Sequence, residues 1–342
     1  MSDNSKIEWT DSTWNPIRAR NLKTGKVGWY CEHATIGCEF CYAEGMNKRL
    51  GTGLPFKPGH RKDVEIFLDE KMLLQPLRWK KPRMIFVCSM TDLFADFVPD
   101  ESIDKMFAVM ALTPQHTYQV LTKRAARMRE YFSDPERKRT IALNAMPISC
   151  ALAREGGHAV RIKLDHFSAC FAGSGPLPNV WLGVSAERQQ EADERIPLLL
   201  GTPAKVRFVS AEPLLGPIDI LKSCAIYSEY DRIDWVIAGG ESGPNARPMH
   251  PDWARSLRDQ CAAVGVAYFF KQWGNWKPLD QFTEKVIKSA GVHAIVRDDG
   301  RFIIDTDIAD PPRTVFTFKM GKHDAGRLLD GIEHNAMPQA TR

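Results

Sequence analysis

The sequence lacks long apolar runs, internal repeats and low-complexity tracts. Nowhere do eighteen apolar residues follow one another, so no segment predicts a membrane-spanning helix. The opening segment, MSDNSKIEWTDSTWNP, has neither the basic start nor the apolar run of a signal peptide. We therefore expect a cytoplasmic protein with no membrane partner, in a compartment where thiols stay reduced.

The chain also carries little excess charge. Its 46 Lys and Arg residues against 42 Asp and Glu leave a formal net charge of +4. That balance permits a polyanionic partner without requiring one, since a dedicated nucleic-acid domain is usually more basic. Three local basic runs are either solvated faces or phosphate contacts: Lys80-Lys81-Pro82-Arg83, Lys123-Arg124 with Arg127 and Arg129, and Arg137-Lys138-Arg139.

What the 342 residues do show is an alternation of apolar runs and helical stretches. Continuous apolar, β-branched runs are typical of parallel strands buried on both faces. The predicted strands are Met84–Cys88, Thr117–Leu121, Val180–Val184, Val206–Val209, Trp235–Ala238 and Val266–Phe270, with a further strand near the first cysteines. The predicted helices between them include Asp100–Leu112, Ala186–Leu200 and Pro251–Val264.

This alternation predicts an α/β fold, a full or partial (β/α) barrel with right-handed crossovers. We assign residues 1–275 to the barrel and residues 276–342 to a C-terminal extension. Residues 129–178 are long for one crossover, so we interpret them as an insertion over the barrel mouth. In the extension we expect a hairpin around Asp298–Gly300 and a closing helix within Gly321–Gly331.

The eight cysteines are unevenly distributed, with three of them at Cys31, Cys38 and Cys41 in the spacing C-x6-C-x2-C. In a reducing compartment, clustered cysteines indicate metal ligands or catalysts. Three thiolates can hold three irons of a cubane and leave the fourth iron open to a small molecule. A structural zinc site would need a fourth ligand, which His33 could supply. Both metals stay open at this point.

The segment Cys38-Glu39-Phe40-Cys41-Tyr42 resembles the radical S-adenosylmethionine (SAM) superfamily, whose last cysteine typically follows an aromatic residue. The first cysteine spacing is six residues here rather than the usual three. The chain resembles the phage Gp37/Gp68 family more closely, outside residues 129–178 and 276–312. The motifs that carry this resemblance are Trp14-Asn15-Pro16, the cysteine segment with Tyr42-Ala43, Ser89–Phe94, Ser210–Pro217, Gly239–Gly243 and Phe270–Gly274.

The superfamily resemblance implies a [4Fe–4S] cluster on Cys31, Cys38 and Cys41, with SAM as cosubstrate. Reductive cleavage of SAM then gives a 5′-deoxyadenosyl radical that abstracts hydrogen from substrate. The electron would come from a donor such as flavodoxin or ferredoxin.

The expected cofactor contacts lie at the strand ends, where an α/β barrel builds its active site. Superfamily members usually place Gly-Gly-Glu after the second strand to receive the methionyl amine, whereas here Ser89-Met90-Thr91-Asp92 stands there. We therefore predict Ser89 and Asp92 as amine contacts. Ser185 and Glu187 are predicted ribose contacts, because a carboxylate accepts two hydroxyl donors. Further cofactor-binding candidates end later strands: Glu212, Gly239, Gly240 and Glu241. Helix capping is the alternative explanation for these polar strand ends.

The substrate is the least specified part of the sequence. The flanks of the cysteine segment are similar to spore photoproduct lyase and its DNA-repair relatives, in which a cysteine returns hydrogen to the product radical. Cys88 occupies a comparable place and is our catalytic candidate, although a buried cysteine also packs as a small apolar residue.

Three hypotheses follow from these observations. The first is a radical SAM enzyme acting on a nucleic acid or nucleotide, and the second is the same chemistry on a peptide or small metabolite. The third is a zinc-bearing, non-enzymatic nucleic-acid-binding protein. Five tryptophans could stack on bases but are as readily explained as core residues: Trp181, Trp235, Trp253, Trp273 and Trp276.

Overall fold

The computed structural model describes residues 5–154, 175–224, 232–281, 293–304 and 314–338. The chain forms two compact units. The first consists of Met1–Ala34, Ala43–Gly183 and Gly201–Arg207, and the second of Thr35–Tyr42, Val184–Leu200 and Phe208–Arg342. The cysteine segment is thus divided, with Cys31 in the first unit and Cys38 and Cys41 in the second.

The strands of the described residues are numbered in chain order. They are β1 (Ser12–Trp14), β2 (Ile17–Asn21), β3 (Val27–Gly28), β4 (Val64–Leu68), β5 (Met84–Val87), β6 (Thr117–Thr122), β7 (Val180–Ser185), β8 (Val206–Ala211), β9 (Trp235–Gly239), β10 (Ala267–Gln272), β11 (Trp276–Pro278), β12 (His293–Arg297), β13 (Phe302–Ile304) and β14 (Thr314–Lys319).

The helices of the described residues are numbered in the same way. They are α1 (Tyr42–Leu50), α2 (Glu70–Leu73), α3 (Asp100–Ala111), α4 (Ala125–Ser133), α5 (Arg137–Arg154), α6 (Gln189–Leu200), α7 (Ile220–Cys224), α8 (Pro251–Val264) and α9 (Lys322–Ala325).

The main sheet has seven strands in the order β1-β5-β6-β7-β8-β9-β10. The pairs β1/β5, β5/β6, β8/β9 and β9/β10 are parallel. Such sequential order with helical crossovers is the connectivity of an incomplete (β/α) barrel. The strand predictions are confirmed to within two residues at each end, because β7, β8 and β9 are buried along their whole length and show as continuous apolar runs. The seventh strand of the sheet is Ser12–Trp14, which ends seventeen residues before Cys31 and so lies further from the cysteines than expected.

The helix predictions hold where clear end signals exist. The helix α8 begins at Pro251 after the cap His250 and ends before Gly265, whose φ of 69° closes it. The helix α6 begins at Gln189, three residues later than predicted, because β7 ends at Ser185 and residues 186–188 form a bend between strand and helix. Good end signals therefore gave accurate bounds.

Two smaller antiparallel sheets lie outside this alternation. One has the order β3-β2-β4 and was not predicted. The other has the order β11-β14-β12-β13 and begins at Trp276, the first residue of the predicted extension. It contains the expected hairpin, closed by a bond from the Arg297 N–H to the Arg301 carbonyl with Gly300 at φ 91°. The predicted closing helix is reduced to Lys322–Ala325, since Gly326 at φ 73° ends it.

The predicted insertion starts inside α4 and includes α5, which packs along α3. Arg137 at the start of α5 donates to Asp104 and Asp100 of α3. The described part of the insertion is therefore helical and attached to a crossover helix. Residues 155–174 lie outside the described residues.

Within the described ranges, no helix combines the length and the apolar character that crossing a membrane requires. The five tryptophans named as stacking candidates are all buried, with exposed fractions of 5% or less. They are core residues, so their burial favours packing in the protein interior over stacking on nucleic-acid bases.

Candidate functional site

In the first unit, the backbone on either side of Cys31 is fastened to the carboxyl ends of two parallel strands. The Tyr30 carbonyl accepts a bond from Thr91 Oγ1 at 2.5 Å, just after β5. The Glu32 carbonyl accepts one from Arg124 Nη2 at 2.9 Å, just after β6. Cys31 itself is partly exposed and is not in a disulfide. This is the edge of a parallel sheet at which α/β proteins place their ligands.

The turn after β5 carries Cys88 and Ser89, and the backbone of Cys88 is strained. Cys88 has φ 55°, a left-handed backbone that costs a non-glycine residue about 1–3 kcal/mol and is concentrated at functional sites. Asn15 holds the turn: its Oδ1 accepts from the Met90 N–H at 3.0 Å, and its Nδ2 donates to Ser89 Oγ at 3.1 Å. The Trp-Asn-Pro motif therefore supports this turn.

The thiol of Cys88 is 2% exposed and stays protonated. Burial, reinforced by the negative charge of Asp92, raises its pKa far above the ordinary range. A hydrogen-atom donor must carry its hydrogen, so this environment suits the predicted role. The same environment also suits simple packing.

Asp92, predicted as an amine contact, is a fully bonded structural carboxylate. Its Oδ1 accepts from Thr122 Oγ1 at 2.6 Å and from the Phe94 N–H at 3.0 Å. Its Oδ2 accepts from the Lys123 N–H at 2.8 Å and from Arg124 Nη1 at 3.1 Å. All four acceptor positions of the carboxylate are thereby used. These bonds fit the capping alternative for Asp92, and its contact with the methionyl amine stays a prediction.

In the second unit, Cys38 and Cys41 lie on one short turn. The Cys38 N–H donates to the Thr35 carbonyl at 2.9 Å, and the Cys41 N–H donates to the Cys38 carbonyl at 3.3 Å. Cys38 is 8% exposed, Cys41 is partly exposed, and neither is in a disulfide. The helix α1 begins at the next residue, Tyr42.

This turn rests on Glu187, the second residue after β7, which we predicted to bind ribose. Thr35 Oγ1 donates to Glu187 Oε1 at 3.1 Å. Arg195 Nη1 donates to Glu187 Oε2 at 3.3 Å and to the Ser185 carbonyl at 2.8 Å. Glu187 is fully buried and Ser185 is 4% exposed. The carboxylate therefore supports the cysteine turn from inside, and its contact with ribose stays a prediction.

Glu212 is the most accessible of the predicted carboxylates in this unit. Its side chain is 14% exposed, against 0% for Glu187 and 5% for Glu241. Its Oε1 lies 3.1 Å from Lys271 Nζ, and its Oε2 accepts from Ser210 Oγ at 3.1 Å. This pair of opposite charges at the ends of β8 and β10 is mostly buried but still partly accessible, and it can hold a zwitterionic group.

Gly239 and Gly240 are required by close packing. A Cβ on Gly239 would lie 2.9 Å from Glu212 Oε1. One on Gly240 would lie 2.6 Å from the Trp273 carbonyl carbon and nearer still to its oxygen. The chain can pass this point only without a side chain, and a contact of either glycine with cofactor stays a prediction.

Glu241 completes the Gly-Gly-Glu motif but is bonded to an arginine. Its Oε2 accepts from Arg247 Nε at 2.8 Å and its Oε1 from Arg247 Nη2 at 2.6 Å. This bidentate, nearly buried pair occupies both carboxylate oxygens.

The cysteine segment carries side chains of the kind that bind metals. Cys31, Cys38 and Cys41 are thiols, the soft ligands that iron–sulfur clusters and zinc prefer. Among the described residues, no three His, Cys, Asp or Glu side chains are grouped as a metal site. His33, the candidate fourth zinc ligand, bonds Glu44 Oε2 through Nε2 at 2.6 Å. Its Nδ1 remains for a metal, so the zinc hypothesis stays open.

The basic residues near 123–139 are largely committed to the protein. Arg124 bonds Asp92 and the Glu32 carbonyl. Arg127 bonds the Ala95 and Val98 carbonyls and pairs with Asp100, which also pairs with Arg137. These arginines hold loops and helix ends together, and they no longer support a phosphate-binding strip.

Four positions that contact the candidate site were missed in the sequence or were given another role there: Asn15, Arg124, Arg195 and Arg247. Each bonds a predicted site residue or the cysteine segment from a distant part of the chain. Asn15 stood out within Trp-Asn-Pro and Arg124 within a basic run, whereas a lone arginine such as Arg195 or Arg247 gives no indication of its partner.

These features define an α/β protein with cysteine-bearing turns at the carboxyl ends of parallel strands. The family model described as "Protein of unknown function (DUF5131)" matches residues 4–338, so the chain belongs to the DUF5131 family. No curated protein and no solved structure matches the chain significantly.

Proposed function

We propose that this protein is a radical SAM enzyme whose Cys31, Cys38 and Cys41 hold a [4Fe–4S] cluster. The observation that carries the proposal is the C-x6-C-x2-C segment of three thiols. In each unit, its cysteines are attached to the carboxyl ends of parallel strands, through Thr91 and Arg124 in one and Glu187 in the other. When bound, the cluster would supply the electron that cleaves SAM to a 5′-deoxyadenosyl radical.

The chain's own residues have three tasks in this proposal. The bonds from Thr91, Arg124 and Glu187 at the strand ends position the thiolates. Glu212 and Lys271, the partly accessible pair, bind and orient the charged end of SAM. Cys88 holds a hydrogen at a sulfur that burial keeps protonated. An external one-electron donor such as flavodoxin or ferredoxin is required as the partner.

A nucleic acid or nucleotide substrate remains our proposal on one ground, the similarity of the cysteine flanks to the lesion-repair enzymes. The peptide or metabolite alternative is separated from it by the yield of 5′-deoxyadenosine with and without oligonucleotides. Nucleic-acid binding through phosphates would weaken steeply with salt.

The test of the cluster is metal content followed by chemistry. Protein reconstituted anaerobically should hold about four irons with matching sulfide per chain, and with SAM and dithionite it should form 5′-deoxyadenosine. Cys38→Ser should lose iron and product, whereas Cys150→Ser, at an exposed cysteine of α5, should lose neither. One zinc per chain without iron would favour the zinc-bearing protein instead.

A further inference from the structure

Arg247 joins the cysteine turn of the second unit to the end of a parallel strand. One side of its guanidinium is engaged by Glu241, through Nε at 2.8 Å and Nη2 at 2.6 Å. The other side reaches the turn: Nη2 donates to the Ile36 carbonyl at 3.1 Å, and Nη1 lies 3.4 Å from Glu39 Oε2. The guanidinium carbon lies 5.1 Å from the centre of the Phe40 ring.

Along the chain, these contacts lie on either side of Cys38 and end next to Cys41. Ile36 begins the 3₁₀ turn Ile36–Cys38, and Glu39 and Phe40 are the two residues that follow it. So short a turn is not stable by itself and takes its conformation from what it packs against. A planar cation with five donors can bond a carboxylate, a carbonyl and a ring together, which lysine cannot do.

Glu241 makes the arrangement rigid. It follows β9, and with an exposed side-chain fraction of 5%, against 10% for Arg247, it forms a nearly buried pair. A desolvated, bidentate pair fixes the arginine in one orientation. The Gly-Gly-Glu motif in this chain thus orients an arginine, and that arginine holds the turn.

We propose that Arg247 is a positioning residue that keeps the Cys38–Cys41 turn in its metal-binding conformation, with Glu241 as its anchor. The proposal rests on the proposed function for the identity of the metal, but its effect on the turn is measurable in metal-free protein. We call the Arg247–Glu241 pair the clamp. Loss of the clamp should let the turn open locally, which exposes the Cys38 thiol.

The experiment compares alkylation rates of individual cysteines in metal-free protein, assigned by fragment-ion mass spectrometry. Arg247→Lys keeps a charge for Glu241 but loses the planar contacts. The double variant Glu241→Gln with Arg247→Met removes both charges, so that no unpaired buried charge can unfold the protein. Arg258→Ala is the matched control, because Arg258 pairs with Asp330 on the same unit without touching the turn.

Both clamp variants should alkylate Cys38 about tenfold faster than wild type, since the turn loses at least one hydrogen bond and a ring contact. Cys261, fully buried in α8, should keep its wild-type rate and so excludes general unfolding. Arg258→Ala should change neither the Cys38 rate nor the Cys261 rate. After reconstitution, the clamp variants should also release metal to a chelator faster.

The outcomes separate this inference from the proposed function. An unchanged Cys38 rate in both variants would overturn the clamp, even if the wild type binds iron. Equal acceleration at Cys38 and Cys261 would overturn it too, because Arg247 would then serve only general stability. A faster Cys38 rate in a protein that never binds iron would support the clamp and reject the iron–sulfur cluster.

Discussion

Gly37 lies so close to Glu187 that a single methyl group has no room there. A Cβ at this position would be 2.5 Å from Glu187 Cγ and 2.7 Å from its Cδ, and nearer still to Oε1. Glu187 cannot move aside cheaply, because it is fully buried and bonded to Arg195 and Thr35. We therefore expect Gly37→Ala to destabilise the protein and to disturb the turn that carries Cys38.

The magnitude follows from two limiting responses. If the turn moves away from Glu187, the cost is that of overpacking, about 1–3 kcal/mol. If Glu187 is displaced instead, Arg195 is left as a buried charge without this partner, which costs about 3–5 kcal/mol. The expected loss of unfolding free energy is therefore about 2–4 kcal/mol.

A matched control stands eight residues further along the chain. Gly45 lies on the exposed side of α1 with nothing within 4 Å of a Cβ. Gly45→Ala should stabilise the protein by about 0.5–1 kcal/mol, because alanine is the better helix former. Urea unfolding of both variants measures the difference, and iron content after reconstitution reports on the turn. Equal stability of Gly37→Ala and wild type would refute the close contact with Glu187.

Three further predictions concern other positions. Asp92→Asn should lower the free energy of unfolding by about 2–4 kcal/mol, since the amide cannot replace the carboxylate towards Arg124 and the neighbouring N–H donors. Urea unfolding checks this, and a near-neutral effect would contradict the structural role of these bonds. Gly240→Ala should lower the free energy of unfolding by at least about 3 kcal/mol or prevent folding, because the methyl group would collide with the backbone carbonyl of Trp273. Normal expression and a wild-type melting temperature would contradict that close packing. Burial lowers the pKa of His250 below its ordinary 6.5, so the unfolded chain binds a proton more readily than the folded chain does. The stability that is present above pH 6.5 should therefore fall as the pH drops below that value. His250→Asn keeps an N-cap acceptor for α8 and should make the melting temperature less dependent on pH between about 5 and 7. An unchanged dependence would exclude His250 as the source of the pH effect.

The sequence determined the strands and helices of the main sheet, and for a physical reason. Strands buried on both faces need continuous apolar residues, so runs such as Val206–Val209 and Trp235–Ala238 were visible without any partner. The cysteine spacing was equally local, because Cys31, Cys38 and Cys41 lie within one short segment. The small sheet β3-β2-β4 was missed since its strands are short and mixed in polarity.

Only the tertiary structure decided what each strand-end residue does. Asp92, Glu187 and Glu241 all looked like ligand carboxylates in the sequence, yet each is bonded to an arginine. The arginines lie from six to thirty-two residues away along the chain. A pair at such separations leaves no periodic signal, because ion pairing depends on proximity in space and the fold alone creates it. Glu212, the carboxylate with the largest exposed fraction among those of the second unit, became the preferred ligand residue only once burial was known.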